Sequence, residues 1–179
     1  GPGQDLFLLS RAGAPRGKIL KLSMADLRLD QAQTVIPEGP DTIVSSFYHA
    51  APTILTTDKL LYVLYQTGGP SELRVFDHAG QPQKAPEQLF LATAGGLTRL
   101  DGDDVLFSNT SWVEPPAYYR YQTTTGRTAK TLLATEAPVN FRDVEVIREF
   151  AISSDGTKVP VNILLPRGAR QDGSNPALV

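Results

Sequence analysis

Apolar residues recur along this chain in short alternating runs, separated by breaks rich in Gly, Pro and Asp. Lys18 to Ser23 (KILKLS) and Ser71 to Asp77 (SELRVFD) alternate with a period near two. That period, with turn formers at both ends, predicts half-buried strands rather than helices. The densest run, Lys59 to Gln66 (KLLYVLYQ), is rich in Leu, Tyr and Val and too short for a helix, so it predicts a buried strand. Further strands are expected at Asp5 to Ser10, Gln33 to Pro37, Asp41 to Tyr48, Glu87 to Leu91, Gly96 to Leu100, Val105 to Ser108, Ala117 to Gln122 and Arg127 to Ala134. Met24 to Asp30 reads as a polar connection.

The pattern is cleanest between Glu145 and Gly168. Val144, Val146 and Phe150 alternate with charged residues, and Val159, Val161, Ile163 and Leu165 alternate after Ser154-Asp155-Gly156. Two period-2 runs around an Asp-Gly turn predict a β-hairpin, because glycine reaches positive φ without a Cβ clash.

A repeat organises what precedes the hairpin. A strand, a turn and a second strand ending in a polar turn occur three times. The first strands are DLFLLS, KLLYVLYQ and DVLFSNTS; the second are KILKLS, ELRVFD and YYRYQT. Leu20 and Val75 are 55 positions apart, Val75 and Tyr119 44 apart. A period of about 40–50 residues with roughly four short strands per unit is the mark of a β-propeller. A β-sandwich also shows strands at short spacing, but the paired strand order within each period favours blades. About three blades fit before residue 140, fewer than the roughly 4–8 of a closed ring. The expected fold is therefore mostly β: a partial propeller of about three antiparallel blades, then the hairpin.

Composition narrows the chemistry. With 41% hydrophobic and 20% charged residues among 179, the chain is globular rather than disordered. A net charge of −2 offers no basic surface for nucleic acid. Zero cysteines exclude disulfides, thiolate metal sites and cysteine catalysis. No run of about 18 apolar residues is present, so no membrane span is expected. Gly1-Pro2 looks like the scar of a protease cleavage, and residues 1–3 are set aside on that ground.

Arg148 to Pro160 (REFAISSDGTKVP), Leu165 to Gly168 (LPRG) and Asp172 to Pro176 (DGSNP) closely resemble the prolyl oligopeptidase family of serine peptidases, family S9. Phe107 to Gln122 (FSNTSWVEPPAYYRYQ) resembles that family's last-blade signature. The resemblance is strongest from residue 105 onward. In the family such a hairpin marks the passage from the last blade into an α/β-hydrolase domain. The resemblance implies residues 4–140 as the C-terminal part of the propeller, and 141–179 as the linker and first hydrolase strands. It also implies a parent that hydrolyses short peptides after proline, its propeller restricting access to a Ser-Asp-His triad. The family's G-x-S-x-G elbow does not occur here, so no catalytic, cofactor-binding or metal residue carries over. The expected partners are short peptide substrates, for the parent, and the remaining propeller and hydrolase domain. No nucleic acid, membrane or cofactor is expected. The parent is read as soluble, in cytoplasm or periplasm, and this piece alone as inactive and self-associating. The rival reading is a stand-alone β-propeller or β-sandwich module that binds a partner protein without catalysis.

The chemistry-bearing residues each have a plainer reading. His49 and His78 have no Ser or Asp partner implied by spacing, and a triad is recognised by geometry. Asp101, Asp103 and Asp104 lack the calcium-loop pattern and read as an acidic turn. Trp112, Tyr118, Tyr119 and Tyr121 are expected to pack between blades rather than to line a peptide channel. Arg142, Arg148 and Arg167 flank the hairpin and are expected to pair with carboxylates across the domain junction. Ser45, Ser46 and Thr123 to Thr125 are strand or turn residues without an elbow.

Overall fold

The computed structural model describes residues 5–45, 52–170 and 172–178. Its described residues form four antiparallel sheets. The first joins β1 (Asp5–Ser10), β2 (Lys18–Ser23) and β3 (Gln33–Ile36) in that order. The second is built on β6 (Leu60–Gln66) and β7 (Ser71–Asp77), with β8 (Pro82–Gln83) beyond β7. The other edge of β6 takes both β4 (Thr42–Ile43) and β5 (Ile54–Thr56). The third is a four-stranded meander of β9 (Thr93–Arg99), β10 (Val105–Thr110), β11 (Ala117–Gln122) and β12 (Arg127–Ala134). The fourth is the hairpin of β13 (Val144–Ile152) and β14 (Lys158–Pro166).

The three repeats are the central pairs β1–β2, β6–β7 and β10–β11, one per blade. Three sheets stack face to face, which is a blade stack and not the two-layered sandwich. Strand β6 shows why its sequence is apolar at almost every position. Leu61, Val63 and Tyr65 join Ile19, Ile36, Ile43 and Phe76 in one core between the first and second blades. Tyr62 and Leu64 join Leu73, Val75, Leu97, Val105, Phe107 and Tyr121 in another, between the second and third. Successive side chains of a strand point to opposite faces, so a strand buried on both faces must be apolar on both. Each such side chain contributes about 1.5–3 kcal/mol on leaving water.

Of the expected strand Asp41 to Tyr48, only Thr42–Ile43 is strand among the described residues, and the same edge of β6 is taken next by β5. The branch is at Leu64: its carbonyl accepts from Val44 N at 2.9 Å and its N–H donates to Thr53 O at 2.9 Å. Two sides of one insertion thus complete a single interrupted edge strand. That insertion lies inside the longer of the two repeat spacings. The stretch Phe47-Tyr48-His49 lies outside the described residues.

Glu87 to Leu91, expected as a strand, is a loop. Its side chains replace ladder bonds: Gln88 Oε1 accepts from Leu73 N at 2.7 Å and its Nε2 donates to Leu73 O at 3.0 Å. A side-chain amide thus occupies the place of a neighbouring backbone. Met24 to Asp30 is irregular, as expected, and ends in one turn of 3-10 helix at Leu29–Gln31.

The hairpin has unbroken register from Val144↔Pro166 to Ile152↔Lys158. Its turn closes as the Asp-Gly pair predicts: Gly156 has φ +83° and donates to Ser153 O at 2.9 Å. Asp155 Oδ1 accepts from Thr157 N at 2.9 Å, and this bond leads those that hold its carboxyl below the ordinary range.

Candidate functional site

The acidic turn after β9 works as a structural staple. Asp103 Oδ1 accepts from Thr57 Oγ1 and from Lys59 N, both at 2.7 Å, and its carbonyl accepts from Tyr62 Oη at 2.6 Å. The second and third blades are thereby tied at one end. Burial, with the negative charges around it, pushes the Tyr62 phenol upward. Asp104 Oδ1 accepts from Thr123 N at 2.9 Å, and Asp104 pairs with Arg120 at 3.1 Å. Burial pushes the Asp104 carboxyl upward, but those bonds outweigh it and hold it below the ordinary value of 3.8.

The aromatic group divides. Tyr121 is buried and donates to Lys84 O at 3.0 Å, and Tyr119 stacks on Phe107 with centroids 5.8 Å apart. Tyr118 is half-buried, its hydroxyl close to Gly96. Trp112 departs from the expected packing: it is 55% exposed, because it follows β10 in a bend rather than lying on a core-facing strand position. His78 sits in the β7–β8 turn with its ring 5.1 Å from that of Phe7, joining the first blade to the second.

Trp112 lines a groove of about 290 Å³ with Gly69, Pro70, Leu91, Thr110 and Asn162. The groove lies where the ends of the second and third blades meet the hairpin. Its Leu91 belongs to the 87–92 loop, which is held from several sides. Asn109, 1% exposed, accepts from Leu89 N at 2.7 Å and donates to Thr93 O at 3.1 Å. Ser71 N donates to Ala92 O at 3.0 Å, and Ser71 Oγ accepts from Ala94 N at 3.0 Å. These clamps hold Leu91 at φ +47°, a left-handed conformation that a bulky side chain adopts only when its surroundings impose it. The sequence did carry a signal for Asn109, which the reading above missed. Val105, Phe107 and Asn109 share one face of β10, so a polar residue stands at a core position.

Arg148 meets backbone rather than a carboxylate. Its Nη2 donates to Thr67 O at 3.0 Å and to Gly68 O at 2.8 Å, and its guanidinium lies 5.8 Å from the Phe150 ring centroid. Arg167 Nη2 reaches Arg142 O at 3.5 Å. None of the three arginines forms an ion pair among the described residues. No helix among the described residues is long and apolar enough to cross a membrane.

Stacked antiparallel meanders, joined by buried faces and tied at their ends, define blades of a β-propeller. Residues 2–132 match the family model of the prolyl oligopeptidase N-terminal beta-propeller domain, and the chain belongs to that family. The match includes Pro2 and Gly3, set aside above as a scar, and stops before the hairpin. The chain is 24% identical over 183 residues to the prolyl endopeptidase of Elizabethkingia meningoseptica, covering 99% of this chain and 24% of that protein. Against the prolyl endopeptidase of Elizabethkingia miricola it is 22% identical over 180 residues, again covering 99% and 24%. It thus spans about a quarter of the length of these curated relatives. A solved structure from a study of two prolyl endopeptidases and their inter-domain dynamics superposes with TM-score 0.76 at 24% identity, over 97% of this chain and 24% of that one. Apo prolyl oligopeptidase B from Galerina marginata gives 0.71 at 17% identity, over 95% and 24%.

Proposed function

We propose that this chain is part of a prolyl-oligopeptidase-type serine peptidase, a hydrolase acting on short peptides after proline. Residues 4–140 supply the C-terminal blades of its propeller, and 141–179 form the linker and first strands of its α/β-hydrolase domain. The Ser-Asp-His triad lies in parts of the protein outside this sequence. The chain's own work is to wall off the peptide chamber and to set the catalytic domain on the propeller.

The observation that carries this reading is the hairpin. It lies beyond the family-model match, pairs only with itself among the described residues, and presents Val159, Val161 and Ile163 at 44%, 40% and 36% exposure. An aliphatic stripe on one face of a two-stranded ribbon needs a covering layer, since an isolated hairpin is marginal in water. A hydrolase sheet and its helices supply that layer. The blade stack has a second uncovered face, where Leu6, Met24, Leu27 and Leu29 are exposed at the β1–β2–β3 end; it suits a neighbouring blade.

The test pairs this chain with the protein that carries it joined to its hydrolase region. The longer protein is expected to cleave a Pro-linked chromogenic dipeptide and to be labelled by a serine-directed phosphonate. The 179-residue chain is expected to do neither. Phosphonate-sensitive turnover by the chain alone refutes the assignment, as does a longer protein that neither cleaves the substrate nor takes the label.

A further inference from the structure

The groove beside Trp112 does not end at Leu91. A second hollow of about 370 Å³ shares Pro70 and Leu91 with it, so the two run together as one channel. An exposed aromatic ring stands in each half: Trp112, 55% exposed, in the first and Phe90, 69% exposed, in the second. Large rings gain by leaving water, and two of them beside one channel mark a surface suited to contact. The channel is nearly free of charge. Of the described residues that line either half, only Glu72 is charged, and Arg74 pairs with it.

Asn162 is the odd member of the lining. Its Oδ1 is sealed from water, and neither Oδ1 nor Nδ2 has a hydrogen-bond partner among the described residues. Buried amide groups are ordinarily paired, and an unpaired one is destabilising. The torsion that carries the carboxamide is soft, and a turn about it brings the oxygen toward the channel that Asn162 lines. A donor arriving there relieves the cost. A peptide unit answers a carboxamide in full: its N–H donates to the oxygen while its C=O accepts from the nitrogen.

We propose that this channel is a binding site for an extended, uncharged peptide segment that carries proline. Asn162 takes one N–H-bearing peptide unit of that segment through paired hydrogen bonds, and Trp112 and Phe90 supply flat faces for proline rings. A proline-bearing segment suits such faces because its polyproline II form is set before binding, so little entropy is lost. Its lack of charge matches a channel whose single carboxylate is already paired with Arg74. Pro70 and Leu91, shared by both halves, form the apolar ground between the rings. Asn109, Ser71 and Gln88 clamp the loop that carries Phe90 and Leu91. The inference deepens the function proposed above and rests on it for the occupant being a peptide.

The test uses this chain and the peptide acetyl-Ala-Pro-Ala-Pro-Ala-amide, with acetyl-Ala-Gly-Ala-Gly-Ala-amide as its control. Trp112 is the chain's sole tryptophan, so its indole N–H gives a single resonance in a heteronuclear NMR spectrum. The proline peptide is expected to shift that resonance saturably, and the glycine peptide to bind about fivefold more weakly or worse for want of ring contacts. Asn162→Ala, which loses the paired hydrogen bonds, should weaken binding of the proline peptide about fivefold or more, and Phe90→Ala should also weaken it. The wild-type titration decides even where a variant misfolds. An indole resonance that the proline peptide leaves unmoved overturns the proposal, as does equal affinity for the glycine peptide. So does a folded Asn162→Ala chain that binds as the wild type does. A shift that follows protein concentration instead of peptide gives the channel to a second copy and likewise overturns it. A chain that binds the proline peptide, although the longer protein cleaves no Pro-linked dipeptide, supports the channel and refutes the peptidase assignment alone.

Discussion

Asn109 offers a sharp test of how the third blade is held together. Its side-chain amide satisfies two backbone groups, Leu89 N–H and Thr93 C=O, from a position almost sealed from water. Asn109→Leu keeps the site apolar and roughly filled while leaving both groups unpaired. An unsatisfied buried polar group costs about 1–3 kcal/mol. The 87–92 loop runs at the surface and can turn one group toward water, so the expected loss is about 2–4 kcal/mol in total. At about 2–4 °C per kcal/mol for a chain of this size, the melting temperature should fall by roughly 5–15 °C. Urea denaturation followed by far-UV circular dichroism measures it, with the midpoint falling and the slope unchanged. Asn109→Asp keeps the acceptor for Leu89 but buries a charge facing Thr93 O. It should be at least as damaging at neutral pH and recover as acid protonates the carboxyl, which then donates. A loss below about 0.5 kcal/mol in Asn109→Leu, within the range of a neutral surface change, would refute the clamp.

Other positions give independent checks. A Cβ on Gly80, at φ +82°, would lie 1.8 Å from Val35 O of β3, whereas Gly156 at φ +83° faces open space. Gly80→Ala should therefore exceed, by more than about 1 kcal/mol, the left-handed strain that Gly156→Ala pays alone; equal losses by denaturation would contradict the blade contact. Because the folded-state Asp104 carboxyl titrates below its unfolded value, its stabilisation is present above about pH 4 and disappears as pH falls through the lower folded value. Asp104→Asn should flatten that acid limb in a pH series of melting temperatures, and an unaltered limb would assign it to other carboxyls. The uncovered apolar ends of the stack should make the chain associate in sedimentation velocity, more so at higher concentration, and a Leu6→Glu, Leu29→Glu variant should associate less. A wild-type chain that stays monomeric up to high concentration would count against open-ended blades.

The strands, their pairing and the hairpin were legible from local pattern. Period-2 alternation carries the information that a sheet uses, and KLLYVLYQ announced burial on both faces before any partner was known. The repeated strand pairs pointed to blades for the same reason. What local pattern could not contain was the work of single side chains on distant backbone. Gln88 replaced a strand by hydrogen-bonding Leu73 with its amide, so a stretch with strand-like composition became a loop. Ile54–Thr56 was too short to register alone and became a strand only because β6 had an open edge beside it. Arg148 looked like half of an ion pair, and only folding brought two glycine-turn carbonyls to its guanidinium. Trp112 looked like core by residue type, yet its bend turned it outward to the groove. The sequence determined which segments are strands and which faces must be buried, because those are properties of neighbours along the chain. The tertiary structure alone decided the staples, the groove and the Arg148 contact, because each joins groups many residues apart whose meeting depends on how the blades stack.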